Sequence, residues 1–165
     1  MPSINYVRGD ITTDRAQVLV NTVNCVGVMG AGVAKAFKLA FPHIFAPYQA
    51  ECRAGRIRPG TANFYPLLNR TSVPSSFSRR DRVVPIRSDE PRFWCALATK
   101  DNWRNPSQYP WVEHGLRALA TNAERHGVRS IAMPRPGCGH GGLSWDLVRP
   151  MVETILADFD LTIYL

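Results

Sequence analysis

Two glycine-rich stretches of this 165-residue sequence have the composition of loops that hold an anionic group. GVMGAG at residues 27–32 precedes a helical pattern, and GCGHGG at residues 137–142 lies between a strand pattern and a helical pattern. Glycine lets the backbone approach a ligand closely, and free N–H groups at the start of a helix carry partial positive charge. Together the two loops could hold one diphosphate. A glycine turn before a helix is more often plain backbone geometry, and neither loop has the Gly-Lys-Ser/Thr ending of a Walker A loop.

Three polar side chains near these loops are suited to binding a nucleoside. Asn21 and Asn24 carry amides that can hydrogen-bond the vicinal hydroxyls of a ribose, and Asp10 can accept from the amino group of an adenine. Each has a structural alternative: Asx capping of a turn for the asparagines, and an ordinary turn position for Asp10.

The segment ATKDNWRNP at residues 98–106 contains the side chain best suited to covalent chemistry. Lys100 follows a strand pattern and stands near Trp103, where partial desolvation would lower its pKa and free its amine to attack a carbonyl-like carbon. A surface lysine paired with Asp101 is the alternative. His140, in the second glycine loop, is either a general acid or a hydrogen-bond donor beside phosphate.

The charge balance favours anionic partners. Lysine and arginine outnumber aspartate and glutamate by 20 to 13, which gives a formal charge of +7 and a pI near 9.7. Such a balance suits phosphates, nucleotides or nucleic acid, although it can also serve solubility.

The cysteines and the apolar segments predict a cytoplasmic protein without metal or membrane partner. Four cysteines contain no C-x-x-C pair, so we expect reduced thiols and no metal site; they are Cys25, Cys52, Cys95 and Cys138. The N-terminal residues lack the unbroken apolar run of a signal peptide, and the longest apolar stretch is interrupted by asparagines and glycines.

Strand patterns alternate with helical patterns along the chain. Strands are expected at residues 4–10 (ending in a turn), 17–21, 61–67, 93–99, 129–134 and 161–165, and helices at 33–41, 43–53, 110–126 and 144–159. This order predicts one α/β domain whose largely parallel or mixed sheet has helices on both faces, with the first two helices on the same face.

Three further expectations follow from this order. Loops at the carboxyl ends of the strands, at residues 9–11, 21–32, 99–104 and 137–142, should meet at one edge of the sheet. Pro150 should kink or restart the last helix. Residues 69–92, rich in proline, serine and arginine, are predicted to be a flexible flap.

Six motifs along nearly the whole chain resemble those of the macrodomain family, which binds ADP-ribose. They are GD (9–10), VNTVN (20–24), GVMGAGVA (27–34), TKDNWRNPS (99–107), PRPGCGHGGLSW (134–145) and TIY (162–164). The resemblance implies a three-layer α/β/α fold with a central mixed β-sheet, in a single macrodomain over residues 1–165. Within the family, the chain is most similar to the branch that holds terminal ADP-ribose protein glycohydrolase and the antitoxin macrodomain that removes ADP-ribose from thymidine in DNA.

The resemblance also implies a set of site residues. Lys100 matches the catalytic lysine of the branch. The implied ADP-ribose contacts are Asp10 and Ile11 at the adenine, Asn21, Asn24, Gly30, Ala31 and Gly32 at the distal ribose, Gly137, Cys138, Gly139, His140 and Gly141 at the diphosphate, together with Val33 and Thr99.

The function implied is hydrolysis of ADP-ribose from modified nucleic acid, with a thymidine-linked DNA adduct favoured, or from acidic side chains of proteins. A non-catalytic module that reads ADP-ribose is the alternative. The protein glycohydrolase has an aspartate where this chain has Gly141, whereas the DNA antitoxin has glycine, which favours nucleic acid. Lys100 would act either through a Schiff base or noncovalently. No cofactor is implied, and a cognate ADP-ribosyltransferase is a possible partner.

Overall fold

A computed structural model describes residues 2–67 and 93–165. Within these ranges the chain forms one sheet of six strands: β1 (Ile4–Val7), β2 (Val18–Val23), β3 (Ala62–Pro66), β4 (Phe93–Ala98), β5 (Ser130–Pro134) and β6 (Asp160–Tyr164). The helices are α1 (Gly32–Ala40), α2 (Phe45–Arg53), α3 (Tyr109–Arg125) and α4 (Trp145–Ile155), with short 3-10 turns at Ile11–Thr13 and Pro42–Ile44. The predicted flap at 69–92 lies outside the described residues.

The sheet has the order β1-β6-β5-β2-β4-β3. The first five strands in this order are mutually parallel, and β3 lies at the edge, antiparallel to β4. The carboxyl ends of five strands therefore share one edge of the sheet, and the loops that follow them meet there, as the sequence predicts.

The central strands are mostly apolar because both faces of the sheet are covered. In β2, Leu19 and Val23 face one side, and Val18 and Val20 face the other. β2 continues two residues beyond the predicted end at residue 21, which carries the chain as far as Val23 before the glycine loop begins.

Helices cover the two faces in pairs. α1 and α2 bury Phe37, Phe41 and Tyr48 against one face, so the prediction that the first two helices share a face is confirmed. α3 and α4 bury Leu116, Val148 and other apolar residues against the opposite face. The result is the expected three-layer α/β/α fold with a mixed sheet.

The ends of the last two helices differ in how well the sequence predicts them. α3 ends at Arg125, and Gly127 follows in the left-handed region with a φ of 64°, which favours glycine at that position. α4 runs without interruption through Pro150 to Ile155, so the predicted restart is wrong. Proline removes a single helical hydrogen bond, and the burial of Val148 and Val152 on either side holds the helix together.

No helix in the described part of the chain is both long enough and apolar enough to cross a membrane.

Candidate functional site

A cavity of about 890 Å³ opens at the carboxyl ends of the parallel strands. All four loops that the sequence singles out contribute to its wall. Thirteen of the fifteen predicted site residues line the cavity, namely Asp10, Ile11, Asn24, Gly30, Ala31, Gly32, Val33, Thr99, Lys100, Gly137, Gly139, His140 and Gly141. The other two, Asn21 and Cys138, do not line it.

Asp10 lies at the start of the 3-10 turn that follows β1. Its Oδ1 atom accepts hydrogen bonds from the backbone N–H of Thr12 at 2.9 Å and from Thr12 Oγ1 at 2.6 Å. The turn role and the ligand role are thus compatible, because one oxygen caps the turn while the carboxylate remains exposed at the cavity wall.

Asn24 shapes the first glycine loop through its own side chain. Its Nδ2 donates to the carbonyl of Val28 at 2.8 Å, and its Oδ1 accepts from the backbone N–H of Val26 at 3.1 Å. The buried Tyr48 hydroxyl lies 3.0 Å from the same Oδ1 and donates to the Asn24 carbonyl at 2.8 Å. The Asx-turn alternative therefore describes the contacts of Asn24 in this structure.

Asn21 is completely buried within β2. Neither its Nδ2 nor its Oδ1 has a hydrogen-bond partner among the described residues. A buried amide without partners costs free energy, and the next residues along β2, Thr22 and Val23, line the cavity. The ribose contact of Asn21 stays a prediction.

The first turn of α1 faces the cavity with uncapped N–H groups. Ala31 occupies the N-cap position, and within the described chain no side chain caps the helix. The first N–H groups of a helix have no partner inside it, so those of Gly32 and Val33 are suited to an anionic ligand at this wall. Gly32 has a φ of 59°, and a Cβ there would lie 3.3 Å from Cδ2 of His140. The two glycine loops thus approach each other closely.

The second glycine loop leaves no room for a side chain at position 141. The Leu143 N–H donates to the Gly137 carbonyl at 2.9 Å, and the Ser107 N–H donates to the Gly141 carbonyl at 2.9 Å. A Cβ at Gly141 would lie closer than 3.0 Å to both Ser107 Oγ and the Gly137 carbonyl oxygen. Glycine is required at this position by the packing of the loop itself.

Cys138, in the same loop, contributes to the packing beneath it. Its half-buried side chain packs against the core under α3 and α4, and Sγ lies 3.4 Å from the carbonyl of Pro136.

Lys100 joins the loops that follow β4 and β5. Its Nζ donates to the carbonyl of His140 at 3.0 Å and to the carbonyl of Trp103 at 3.4 Å. Burial lowers the pKa of Lys100 below that of an ordinary lysine, as the sequence predicts. The Asp101 carboxylate instead accepts from the backbone N–H of Asn102 at 2.7 Å and from Asn105 Nδ2 at 3.3 Å.

The loop after β2 is tied to the loop of Lys100. The Cys25 N–H donates to the Asp101 carbonyl at 3.1 Å, and Cys25 Sγ lies 3.2 Å from the Lys100 carbonyl. Burial raises the pKa of the Cys25 thiol to about 12, so it remains protonated. Cys25 is a structural tie between these two loops.

Several residues that line the cavity are not among the predicted site residues, notably Trp103, Arg135 and Tyr164. Arg135 directly follows β5 and Tyr164 is the last residue of β6, so their position at the carboxyl end of a strand was the available signal. The Tyr164 hydroxyl donates to Asp14 Oδ2 at 2.6 Å, which fixes the ring beside Asp10 and its turn. Across the described residues, no group of three or more histidine, cysteine, aspartate or glutamate side chains is arranged to hold a metal ion.

Two relatives with curated names match almost the whole chain. The DNA ADP-ribosyl glycohydrolase of Thermus aquaticus is 37% identical over 93% of this chain, and the DNA ADP-ribosyl transferase-DNA ADP-ribosyl glycohydrolase fusion protein of Thermosipho africanus is 31% identical over 98%. The chain spans only 38% and 41% of the lengths of these two relatives.

Solved structures match the fold along its full length. The macrodomain of Thermus aquaticus DarG superposes with a TM-score of 0.82 at 33% identity, covering 100% of this chain and 99% of that one. Thermosipho africanus DarTG in complex with ADP-ribose gives a TM-score of 0.81 at 30% identity over 99% of this chain and 42% of that one. The sequence model of the Macro domain matches residues 20–70, which include most of β2, the first glycine loop and α1. With this sequence similarity added to the shared fold, the chain belongs to the macrodomain family.

Proposed function

We propose that this chain is an ADP-ribosyl hydrolase that removes ADP-ribose from modified DNA, acting as one macrodomain over residues 1–165. The observation that carries the proposal is the place of Lys100, a half-buried residue whose Nζ contacts the loops after β4 and β5 in a cavity large enough for a nucleotide ligand. The names of the two curated relatives support the reaction and the DNA substrate.

The cavity suggests how ADP-ribose would be held. The exposed carboxylate of Asp10 would accept from the adenine amino group, with the backbone of Ile11 alongside. The uncapped N–H groups of α1 and the loop at 137–141 would hold the diphosphate from two sides. The distal ribose would then lie against the part of the cavity wall that the loop after β4 forms, where Lys100 lies.

Lys100 would act at the anomeric carbon of the distal ribose. In the covalent route, the bond between the anomeric carbon and the ring oxygen breaks, and the neutral amine attacks that carbon. One amine proton goes to the ring oxygen, which becomes a hydroxyl, and the other leaves with the base. The resulting Schiff base takes up water and releases ADP-ribose and free lysine. In the noncovalent route, the ammonium polarises the sugar or the attacking water. The lowered pKa of Lys100 increases the fraction of neutral amine that the covalent route needs.

The absence of a side chain at position 141 supports DNA over acidic protein side chains. An aspartate at position 141, as in the protein glycohydrolase that the sequence resembles, would need a Cβ that the Gly137 carbonyl and Ser107 already exclude. A mechanism that combines Lys100 with an aspartate from this loop is therefore incompatible with the packing. Lys100 would act without that aspartate.

The test is release of ADP-ribose from an ADP-ribosylated oligonucleotide and from an ADP-ribosylated protein. Lys100→Ala should lower turnover at least about a hundredfold, the lower range for a positioned catalytic group, while ADP-ribose still binds. Lys38→Ala is the matched control, because this exposed lysine contacts Phe45 on the outside of α1. Wild-type rates in Lys100→Ala would exclude this lysine, and no release from either substrate by the native protein would leave a module that only reads ADP-ribose.

Two further measurements separate the routes. Lys100→Arg keeps the charge but cannot form a Schiff base, so substantial activity in that variant would favour polarisation. Borohydride added during turnover should attach the sugar to Lys100 only in the covalent route.

The partner and the location are proposed on narrower grounds. A cognate ADP-ribosyltransferase is supported by the fusion of the two activities in the name of the Thermosipho africanus relative. A cytoplasmic location is supported by the four free cysteines, Cys25, Cys52, Cys95 and Cys138.

A further inference from the structure

A large aromatic side chain stands exposed at the cavity wall. Trp103 is 50% exposed, although tryptophan is among the most costly residues to leave in water, and it lines the cavity beside Lys100. The guanidinium of Arg104 lies over its ring at 4.8 Å from the centroid, and Arg104 is itself exposed. An exposed indole of the cavity wall thus has an exposed guanidinium against its ring.

The loop that carries Trp103 is held by several hydrogen bonds. The Asn102 N–H donates to Asp101 Oδ1 at 2.7 Å, and the Asn105 N–H donates to the Asn102 carbonyl at 3.0 Å. The Asp101 carbonyl accepts from Cys25 at 3.1 Å, which fixes the loop to its neighbour. The ring is therefore presented on a pre-formed loop, which reduces the entropy lost when a ligand binds to it.

The position of Trp103 relative to Lys100 indicates which part of a substrate would reach the ring. The carbonyl oxygen of Trp103 lies 3.4 Å from Nζ of Lys100. In the proposed reaction Nζ lies at the anomeric carbon of the distal ribose. The base attached to that carbon would therefore lie near the loop that carries both Lys100 and Trp103. Trp103 is the exposed aromatic residue of the described cavity wall on the loop of Lys100.

We propose that Trp103 is a stacking platform for a nucleobase of the DNA strand, either the modified base or its neighbour, and that Arg104 pairs with a phosphate of the same strand. The proposal rests on the proposed function and makes Trp103 a determinant of its specificity. Aromatic side chains bind every base through its π-face, and arginine beside them neutralises the backbone, which is the usual composition of a single-strand site.

The same wall favours nucleic acid over an acidic peptide. A glutamate or aspartate side chain has no flat ring to place on an indole, whereas a thymine or any other base has one. Arg135 is an exposed arginine of the cavity wall itself, and the chain as a whole carries a charge of +7. These charges complement a strand with one phosphate per nucleotide.

The test compares Trp103→Ala and Trp103→Phe with the native protein on three probes. These are a single-stranded oligodeoxynucleotide ADP-ribosylated on a base, a peptide ADP-ribosylated on glutamate, and free ADP-ribose. Leu147→Ala is the control, because Leu147 is 58% exposed on α4 and does not line the cavity. KM and kcat are measured on the two conjugates, and affinities for all three probes by calorimetry with Lys100→Ala as the background.

Trp103→Ala should raise KM for the oligonucleotide about tenfold, the scale of one base stacked on an aromatic ring, and change kcat less. Its affinities for the peptide and for free ADP-ribose should stay at the native values, and Trp103→Phe should keep most of the affinity for the oligonucleotide. Equal losses on all three probes, no loss on any, or a loss on the peptide alone would each overturn the proposal.

The affinity measurements separate this proposal from the proposed function. If the native protein releases no ADP-ribose, the hydrolase assignment fails, yet the ratio of oligonucleotide affinity to ADP-ribose affinity still reports on Trp103. A ratio that Trp103→Ala leaves unchanged refutes the platform. If Trp103→Ala does not fold, Trp103→Leu keeps the bulk of the side chain without the aromatic face and is expected to behave as the alanine variant does.

Discussion

Replacement of Gly141 by alanine should destabilise the protein strongly, although the same replacement at Gly139 should not. Neither glycine has a left-handed φ, so alanine strains the backbone at neither position. A Cβ at Gly141 would lie closer than 3.0 Å to Ser107 Oγ and to the carbonyl of Gly137, whereas a Cβ at Gly139 would meet nothing within 4 Å. The two variants therefore differ in packing alone, within one loop.

The size of the difference follows from what must move. Ser107 Oγ can rotate, but the Gly137 carbonyl is backbone and accepts the hydrogen bond from Leu143 at 2.9 Å. Overpacking costs about 1–3 kcal/mol, and loss of that hydrogen bond adds about 1 kcal/mol, so we expect Gly141→Ala to be about 2–4 kcal/mol less stable than Gly139→Ala. The entropy that alanine removes from the unfolded chain is common to both variants and cancels.

Urea unfolding of the two variants, followed by circular dichroism, measures this difference as a shift in midpoint at constant slope. Gly141→Asp should be at least as unstable as Gly141→Ala. A difference between the alanine variants below about 0.5 kcal/mol, the range of ordinary surface substitutions, would show that the loop relaxes around a side chain. The packing argument against an aspartate at this position would then be lost.

Two further predictions concern ligand binding and pH. Asp10→Ala should weaken ADP-ribose binding by about 1.5–3 kcal/mol, because a charged acceptor is lost. The variant should also be about 1 kcal/mol less stable, because the hydrogen bond from Thr12 that caps the turn is lost. Unchanged affinity in calorimetry would remove Asp10 from the adenine site. If the neutral amine of Lys100 is the nucleophile, kcat/KM should rise with pH and level off below the pKa of an ordinary lysine, because burial disfavours the ammonium. Between the lowered pKa of Lys100 and that of an ordinary lysine, the unfolded chain binds more protons than the folded chain, so the free energy of unfolding should also rise with pH there. A kcat/KM that does not change with pH in the same range would contradict the neutral amine as nucleophile.

The sequence predicts the fold well because its signals are local and agree with one another. β2 and β4 are short apolar runs, α1 has an apolar stripe that ends before Pro42, and α3 is followed by a glycine at C′. Pro150 does not restart α4, because the tertiary burial of the helix outweighs a single missing hydrogen bond.

The site is predicted less completely, since side-chain direction depends on register and on long-range contacts. Periodicity places Asn21 in a strand but does not reveal that its amide is sealed inside the sheet. The Asx-turn contacts of Asn24 are local, but the Tyr48 hydroxyl that also contacts its Oδ1 comes from more than twenty positions later in the chain. Likewise, nothing in the neighbourhood of Gly141 in sequence reveals Ser107, which closes the space above it.

The convergence of four loops on one cavity ties ligand occupancy to the survival of the folded chain. The loops follow β1, β2, β4 and β5, so a ligand that contacts them all can bind only when these strands lie together in the sheet. Occupancy then raises the free energy of global unfolding by RT ln(1 + [L]/Kd), which is about 2.7 kcal/mol at a hundred times Kd. Degradation that proceeds through global unfolding would slow about a hundredfold at that concentration. The concentration of ADP-ribose would then affect the lifetime of this protein as well as the occupancy of its site.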